Sequence, residues 1–258
     1  MIHIVGSSGI IGHHLKTIFN HTAAFVLHEG GKWSFETVSK GDLVYFLRSI
    51  SSPFVAMEDP KASYELNVTK TKKAISEILK SGARVVFASS DVVYGETSES
   101  FATEETPVNP YGEYANQKAL IEMFFRDEAN FVSLRISSVV GEGSKLQKLL
   151  SRGKEIEIFD PIIRTPINVN DLGTICSGLI HSNFRADFPN GVLNVGGHAP
   201  MSNLEIATLE ARHLGCIPPV PTPRSEFDKS CRPGTVRMNT TKAQEFAKIP
   251  LNILRYYE

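Results

Sequence analysis

Short runs of consecutive apolar residues alternate with longer stretches in which apolar side chains recur every three or four positions, and this alternation fills the first two thirds of the chain. The runs Ile2–Val5, Ala23–Leu27, Leu43–Leu47, Arg84–Ala88 and Phe131–Arg135 are short and do not alternate with polar residues. A strand covered by helices on both faces has neither side in water, so this pattern predicts parallel strands in a central sheet. Between them, Ile11–Phe19, Tyr64–Ser81 and Tyr114–Ala129 carry helical spacing, and Gly82 stands where a helix C-cap is expected. Strands joined by crossover helices make an α/β protein with a doubly wound parallel sheet.

Prolines break up the last third, at Pro161, Pro166 and Pro189 and in the cluster Pro218–Pro223. Residues 1–155 are therefore expected to form the sheet domain, with later segments returning to it. Residues 156–258 are expected to form mainly a small lobe over the carboxyl ends of the strands, where open α/β sheets bind ligands. The 258 residues, 41% hydrophobic and 21% charged, have the make-up of an ordinary globular protein with a real core. Lys plus Arg number 27 against 28 Asp plus Glu, so no basic excess draws the chain to nucleic acid or an anionic membrane. Cys176, Cys216 and Cys231 are odd in number and far apart, unlike a disulfide framework or a zinc site. The first strand follows Met1 directly, and no apolar stretch approaches the roughly 20 residues of a membrane span. A reducing, cytoplasmic setting without a metal is the expectation.

Immediately after the first strand, Gly6-Ser7-Ser8-Gly9-Ile10-Ile11-Gly12 places glycine at every third position and opens a helix. The first glycine permits a tight turn, the second lets backbone approach a pyrophosphate, and the third lets helix pack on strand. Backbone N–H groups of Ser8, Gly9, Ile10 and Ile11 then face the anion, which predicts a Rossmann-type dinucleotide site. Glu29, seventeen residues past Gly12, suits the hydroxyls of an unphosphorylated ribose and favours NAD. Lys32 and Arg48 keep NADP open.

Tyr114 and Lys118 stand four apart on a predicted helix and share one face. A neighbouring ammonium favours the phenolate of a tyrosine, which then exchanges a proton with a sugar hydroxyl as hydride moves. Lys118 is also placed to hold the nicotinamide ribose.

The fourth strand leads into Ser89-Ser90-Asp91-Val92-Val93-Tyr94-Gly95. Together with the glycine turn, Asn67, Tyr114 with Lys118 and Glu122, Leu134-Arg135 before Gly141, Arg164 before Ile167–Leu172, Leu193–Gly197 and Arg232-Pro233-Gly234, it resembles the extended short-chain dehydrogenase/reductases. These are the nucleotide-sugar epimerases, dehydratases and reductases, and the resemblance runs along nearly the whole chain. It implies that Ser90 bonds the reacting oxygen, that Tyr114 is the acid/base and that Lys118 is its partner. Tyr111 competes, but Ala115 occupies the place of its lysine. The resemblance further implies a substrate site with Ser138 and Asn168, and Arg164 and Arg232 gripping the diphosphate.

Departures from the family narrow the reaction. Dehydratases carry an Asp-Glu pair where this chain has Asp91-Val92, and valine carries no proton, so dehydration is not expected. Asp91 remains either an extra acid or a loop cap. Reduction of a 4-keto sugar by NAD(P)H is favoured, because epimerases often have asparagine where Ser138 stands. A 4-epimerase with tightly bound NAD is the alternative, and a dinucleotide-binding redox sensor without turnover is another. Only Gly30–Asp42 spans the region in which relatives build a further helix and strand, so the adenine pocket is abbreviated. Relatives pair as homodimers through helices matching Tyr64–Ser81 and Tyr114–Ala129, and Met123-Phe124-Phe125 serves either that face or the core. His13 and His14 read as surface residues, and Trp33 and Cys176 as packing.

Overall fold

The computed structural model describes residues 1–20, 22–25 and 33–257. Strands β1 (Ile2–Val5), β2 (Thr22–Phe25), β3 (Leu43–Phe46), β4 (Arg84–Ser90), β5 (Phe131–Ile136) and β6 (Val192–Val195) form one sheet in the order 2-1-3-4-5-6. Every pairing is parallel. The longer helices are α1 (Ile10–Ile18), α2 (Thr71–Lys80), α3 (Glu113–Phe125), α4 (Val169–Leu179) and α5 (Asn203–Leu214). Successive strand residues point to opposite faces, so Ile4, Tyr45, Val86 and Leu134 join α1 and α4 in one core. Val5, Val44, Phe46, Val85 and Phe87 join α2 and α3 in another. This is the doubly wound, Rossmann-like sheet that the apolar runs predict.

Strand order reverses between β1 and β3, and the crevice outside their carboxyl ends is where such sheets take ligands. The strand β4 runs two residues beyond its expected end and so carries Ser90 to that edge. The sixth strand was not among the predicted runs, because polar Asn194 interrupts it. That side chain is fully buried, donating from Nδ2 to the Ala102 and Asn239 carbonyls and lying 2.7 Å from the Tyr94 hydroxyl. The helix expected over Tyr64–Ser81 is instead Pro60–Tyr64, a π-helical turn Glu65–Lys70 and α2. The wide turn brings Asn67 inward, and the Thr71 hydroxyl donates to the Leu66 carbonyl at 2.8 Å. Helix α3 ends at Phe125, before the expected Ala129, in a turn closed by Glu128 N–H on the Phe125 carbonyl.

Beyond residue 156, α4, β6 and the helix Thr241–Ala247 return to the sheet. The remainder makes small pairs over the strand ends: Glu157–Asp160 with Val220–Pro223, Ile163–Arg164 with Met201–Ser202, and Val139–Val140 with Ile167–Asn168. Helix α5 starts from a full capping box between Ser202 and Glu205. Phe125 is buried whereas Met123 and Phe124 face outward, the Lys72 ammonium lying 3.5 Å from the Phe124 ring centre. Cys176 is buried in the core, and Trp33 packs on Phe35 and Phe46. Among the described residues no helix is long and apolar enough to cross a membrane, and no cluster of His, Cys, Asp and Glu is placed to hold a metal.

Candidate active site

The glycine turn joins β1 to α1, and its spacing has steric causes. Gly6 has φ +95°, and a Cβ there would lie 2.8 Å from Arg48 N. At Gly12 a Cβ would meet the Gly6 carbonyl oxygen at 2.4 Å, so any side chain would push the helix off the turn. Gly9 differs, since a Cβ there would meet only Gly6 O, at 3.7 Å, and would project into open space. No side chain caps the start of α1, and its first turn has no acidic residue. The N–H groups there, around Ile10 and Ile11, are left for an anion. Ser8 and Gly9 are exposed beside them, and Arg48 is exposed across the crevice at the end of β3. The residues present therefore fit a dinucleotide pyrophosphate. Glu29 and Lys32 lie outside the described residues.

The structure brings Ser90, Asp91, Tyr114 and Lys118 together at the carboxyl end of β4, all of them buried. The Ser90 hydroxyl donates to Asp91 Oδ1 at 3.1 Å, beside the Tyr114 phenol. Burial, reinforced by the Asp91 charge, pushes the Tyr114 phenol well above its usual range, and the neighbouring Ser90 and Ser49 hydroxyls oppose this only in part. Lys118 Nζ donates to the Ala88 carbonyl at 2.6 Å and sits 5.7 Å from the centre of the Tyr114 ring. Burial lowers its pKa to about 7, against the pull of Glu122 one turn on. Glu122 is committed elsewhere, accepting from Ser89 and, in a fork, from Arg135, which also donates to Tyr94. Tyr111 stands apart, its hydroxyl 3.4 Å from Glu96 Oε1.

Arg164 is buried at 4% exposure. Its Nη1 donates to the Ile163 and Gly234 carbonyls, its Nη2 to the Pro233 carbonyl, and its Nε lies 3.7 Å from Asp91. Arg232 keeps 20% of its side chain exposed, pairs through Nε and Nη2 with Asp228 and lies over the Phe54 ring. Arg164 thus holds the backbone of Pro233 and Gly234, the residues that follow Arg232. Asn168 caps α4 by accepting from Asn170 N–H, and packs on Gly141. Ser138 is half-buried, its carbonyl accepting from Ile167 N–H.

Several partners were not visible beforehand. Ser137, adjacent to the expected Ser138, donates to Asp91 Oδ2 at 2.8 Å. Arg224 shares buried Asp228 with Arg232 and donates to the Arg232 carbonyl at 2.6 Å. Glu96 accepts from the Gly234 and Thr235 amides. The Arg224, Asp228 and Arg232 positions, four apart in sequence, carried the one local signal of that pairing.

A model of one family spans residues 1–256, described as the RmlD substrate binding domain. The chain belongs to that family. This RmlD-family chain is therefore one of the extended short-chain dehydrogenase/reductases, as its motifs suggest. Its fold matches a UDP-N-acetylglucosamine 4-epimerase from Methanobrevibacter ruminantium M1, in complex with UDP-N-acetylmuramic acid, with TM-score 0.81 and 18% identity over 99% of this chain and 94% of the other. It likewise matches a dTDP-4-dehydrorhamnose reductase from Bacillus anthracis str. Ames, in complex with NADP, with TM-score 0.80 and 16% identity over 99% and 95%. In sequence it is 24% identical over 208 residues to methionine adenosyltransferase 2 subunit beta of Bos taurus, covering 73% of this chain and 61% of that protein. The Pongo abelii protein of the same name is 26% identical over 168 residues. The chain thus spans about half to three-fifths of the length of these curated relatives.

Proposed function

We propose that the protein reduces a 4-keto sugar carried on a nucleoside diphosphate, using NADH or NADPH. One observation carries this reading: Tyr114 is buried beside Asp91 and so held as a neutral phenol, a proton donor, at the carboxyl end of β4. Reduction needs a proton given to the keto oxygen, whereas the opening step of 4-epimerisation needs one taken from a hydroxyl.

The glycine turn would hold the pyrophosphate and Lys118 the nicotinamide ribose, with two of its three N–H groups left after Ala88. The reduced nicotinamide supplies the hydride. Tyr114 passes its proton to the sugar C4 oxygen, and Ser90 fixes the phenol by bridging it to Asp91. Burial of this group excludes water, so the proton moves between oriented partners. Arg232, with Arg164 fixing its loop, is placed to meet the diphosphate, a task suited to a guanidinium fork. Ser138 and Asn168 would complete the substrate site. We read the outward Met123 and Phe124 on α3 as the face through which two copies pair.

The curated relatives favour a second reading, since their name makes them a subunit of another enzyme. On that reading the chain binds a dinucleotide and serves a partner without turnover. Incubation with dTDP- and UDP-linked 4-keto-6-deoxy sugars separates the possibilities. Reduction consumes one NAD(P)H per sugar. An epimerase would carry NAD through purification and interconvert 4-hydroxy sugars without net consumption, and a subunit would bind the dinucleotide and do neither.

A further inference from the structure

Lys118 is 3% exposed, and among the described residues no carboxylate pairs with its ammonium. Glu122, one turn on along α3, is taken up by the Arg135 fork and by Ser89. What lies against Lys118 Nζ is the Ala88 carbonyl at 2.6 Å and two ring faces, Phe87 at 4.6 Å from its centre and Tyr114 at 5.7 Å. Phe87 and Ala88 are consecutive residues of β4, so one strand presents both a carbonyl and an aromatic face to the ammonium.

The Phe87 ring is fixed in place. It is 1% exposed and stacks on Phe131 with centres 6.1 Å apart, and Phe131 in turn packs on Phe125 at 5.3 Å. Phe131 starts β5 and Phe125 ends α3, so strand and helix together stop the ring from turning away. A buried ammonium is costly unless something compensates its charge. The negative face of an aromatic ring does so, and more strongly where water is excluded. It also differs from a carboxylate in what it takes. A carboxylate claims N–H groups by short, directional bonds and cancels the charge. A ring face attracts the charge diffusely, so the N–H groups that Ala88 does not use stay available.

We propose that Phe87 is a positioning residue for Lys118, its ring face keeping the buried ammonium charged while leaving its remaining N–H groups to the nicotinamide ribose. This rests on the role given to Lys118 in the reduction reading above and deepens it.

The test uses the full-length chain with mono-, di- and trifluorinated phenylalanine at position 87, which strip negative charge from the ring face stepwise with little change of shape. Carbon-13 NMR at the lysine Cε follows Lys118, the lysine whose pKa burial brings to about 7 and whose signal is missing in Lys118→Met. The titratable groups around it are Tyr114 and Glu122 on its own helix, Arg135 of β5 behind Glu122, and Asp91 past β4 beside Tyr114. None of these is altered. The Lys118 titration moves down with each fluorine, by about one pH unit for the trifluorinated ring, and Phe87→Leu moves it in the same direction. The same trifluorinated residue at position 131, which touches Phe87 and not the ammonium, leaves it nearly unchanged. With a 4-keto sugar, the alkaline fall in kcat/KM moves down in step, so that at pH 8 the trifluorinated chain is about tenfold slower.

A titration that stays put across the fluorinated series, or moves as far with fluorines at position 131, overturns the role of Phe87 whether or not any sugar is reduced. A moved titration with an unmoved kcat/KM profile overturns its part in the reaction. A moved titration in a series whose unfluorinated parent reduces nothing overturns the reduction reading and leaves the hold of Phe87 on Lys118 in place.

Discussion

Two neighbouring regions of the cleft treat charge in opposite ways. Around Tyr114 and Lys118 the groups are buried with little to neutralise them, and burial drives the phenol up and brings the ammonium to a pKa of about 7. Across the 3.7 Å Asp91–Arg164 pair, each charge has a partner at hand. Asp228 takes Arg224 and Arg232, and Glu96 takes the amides of Gly234 and Thr235. The first region has protonation states that a ligand can move, which suits proton transfer. The second has charges whose energy is already committed to holding residues 232–235 in one shape.

Substitutions should therefore act on rate in the first region and on folding or substrate affinity in the second. Tyr114→Phe removes the proton donor, and its kcat falls by about 10²–10⁴-fold while NAD(P)H still binds. Steady-state rates with a fluorescence titration of the dinucleotide check both halves. Asp228→Ala strands two arginines, one of them 10% exposed, and costs about 3 kcal/mol of stability by denaturant midpoint. A comparable effect, confined to alkaline pH, separates the regions. Burial gives folded Lys118 a weaker hold on its proton than the unfolded chain has, so the unfolded chain carries more protons between pH 7 and pH 10.5 and stability rises with pH there. Lys118→Met loses that rise, up to about 3 kcal/mol between pH 7 and pH 9, visible in paired denaturation curves. Smallest is Arg232→Lys, which gives up the fork and raises KM about threefold at nearly constant kcat.

The same division explains what the sequence disclosed. The sheet was legible because its strands are apolar runs, and the glycine turn because its steric demands recur at fixed spacing. Tyr114 and Lys118 were legible because a helix turns local spacing into a shared face. Asn194 hid the sixth strand, since a buried amide is satisfied by carbonyls from distant segments. Arg164 looked like a free clamp, yet its donors reach carbonyls about seventy residues away, a pairing that only the fold creates. Ser137 and Ser138 are adjacent and alike in composition, and strand geometry alone decides which of them meets Asp91.

The most direct test follows the hydride itself. Nicotinamide dinucleotide bearing deuterium at the transferable C4 position is mixed with the chain and a nucleotide-linked 4-keto sugar, and the sugar is weighed by mass spectrometry. The account predicts one deuterium at the sugar C4 with the native chain and almost none with Tyr114→Phe. Bound dinucleotide and bound sugar with no deuterium transferred, or equal transfer by both proteins, would contradict it.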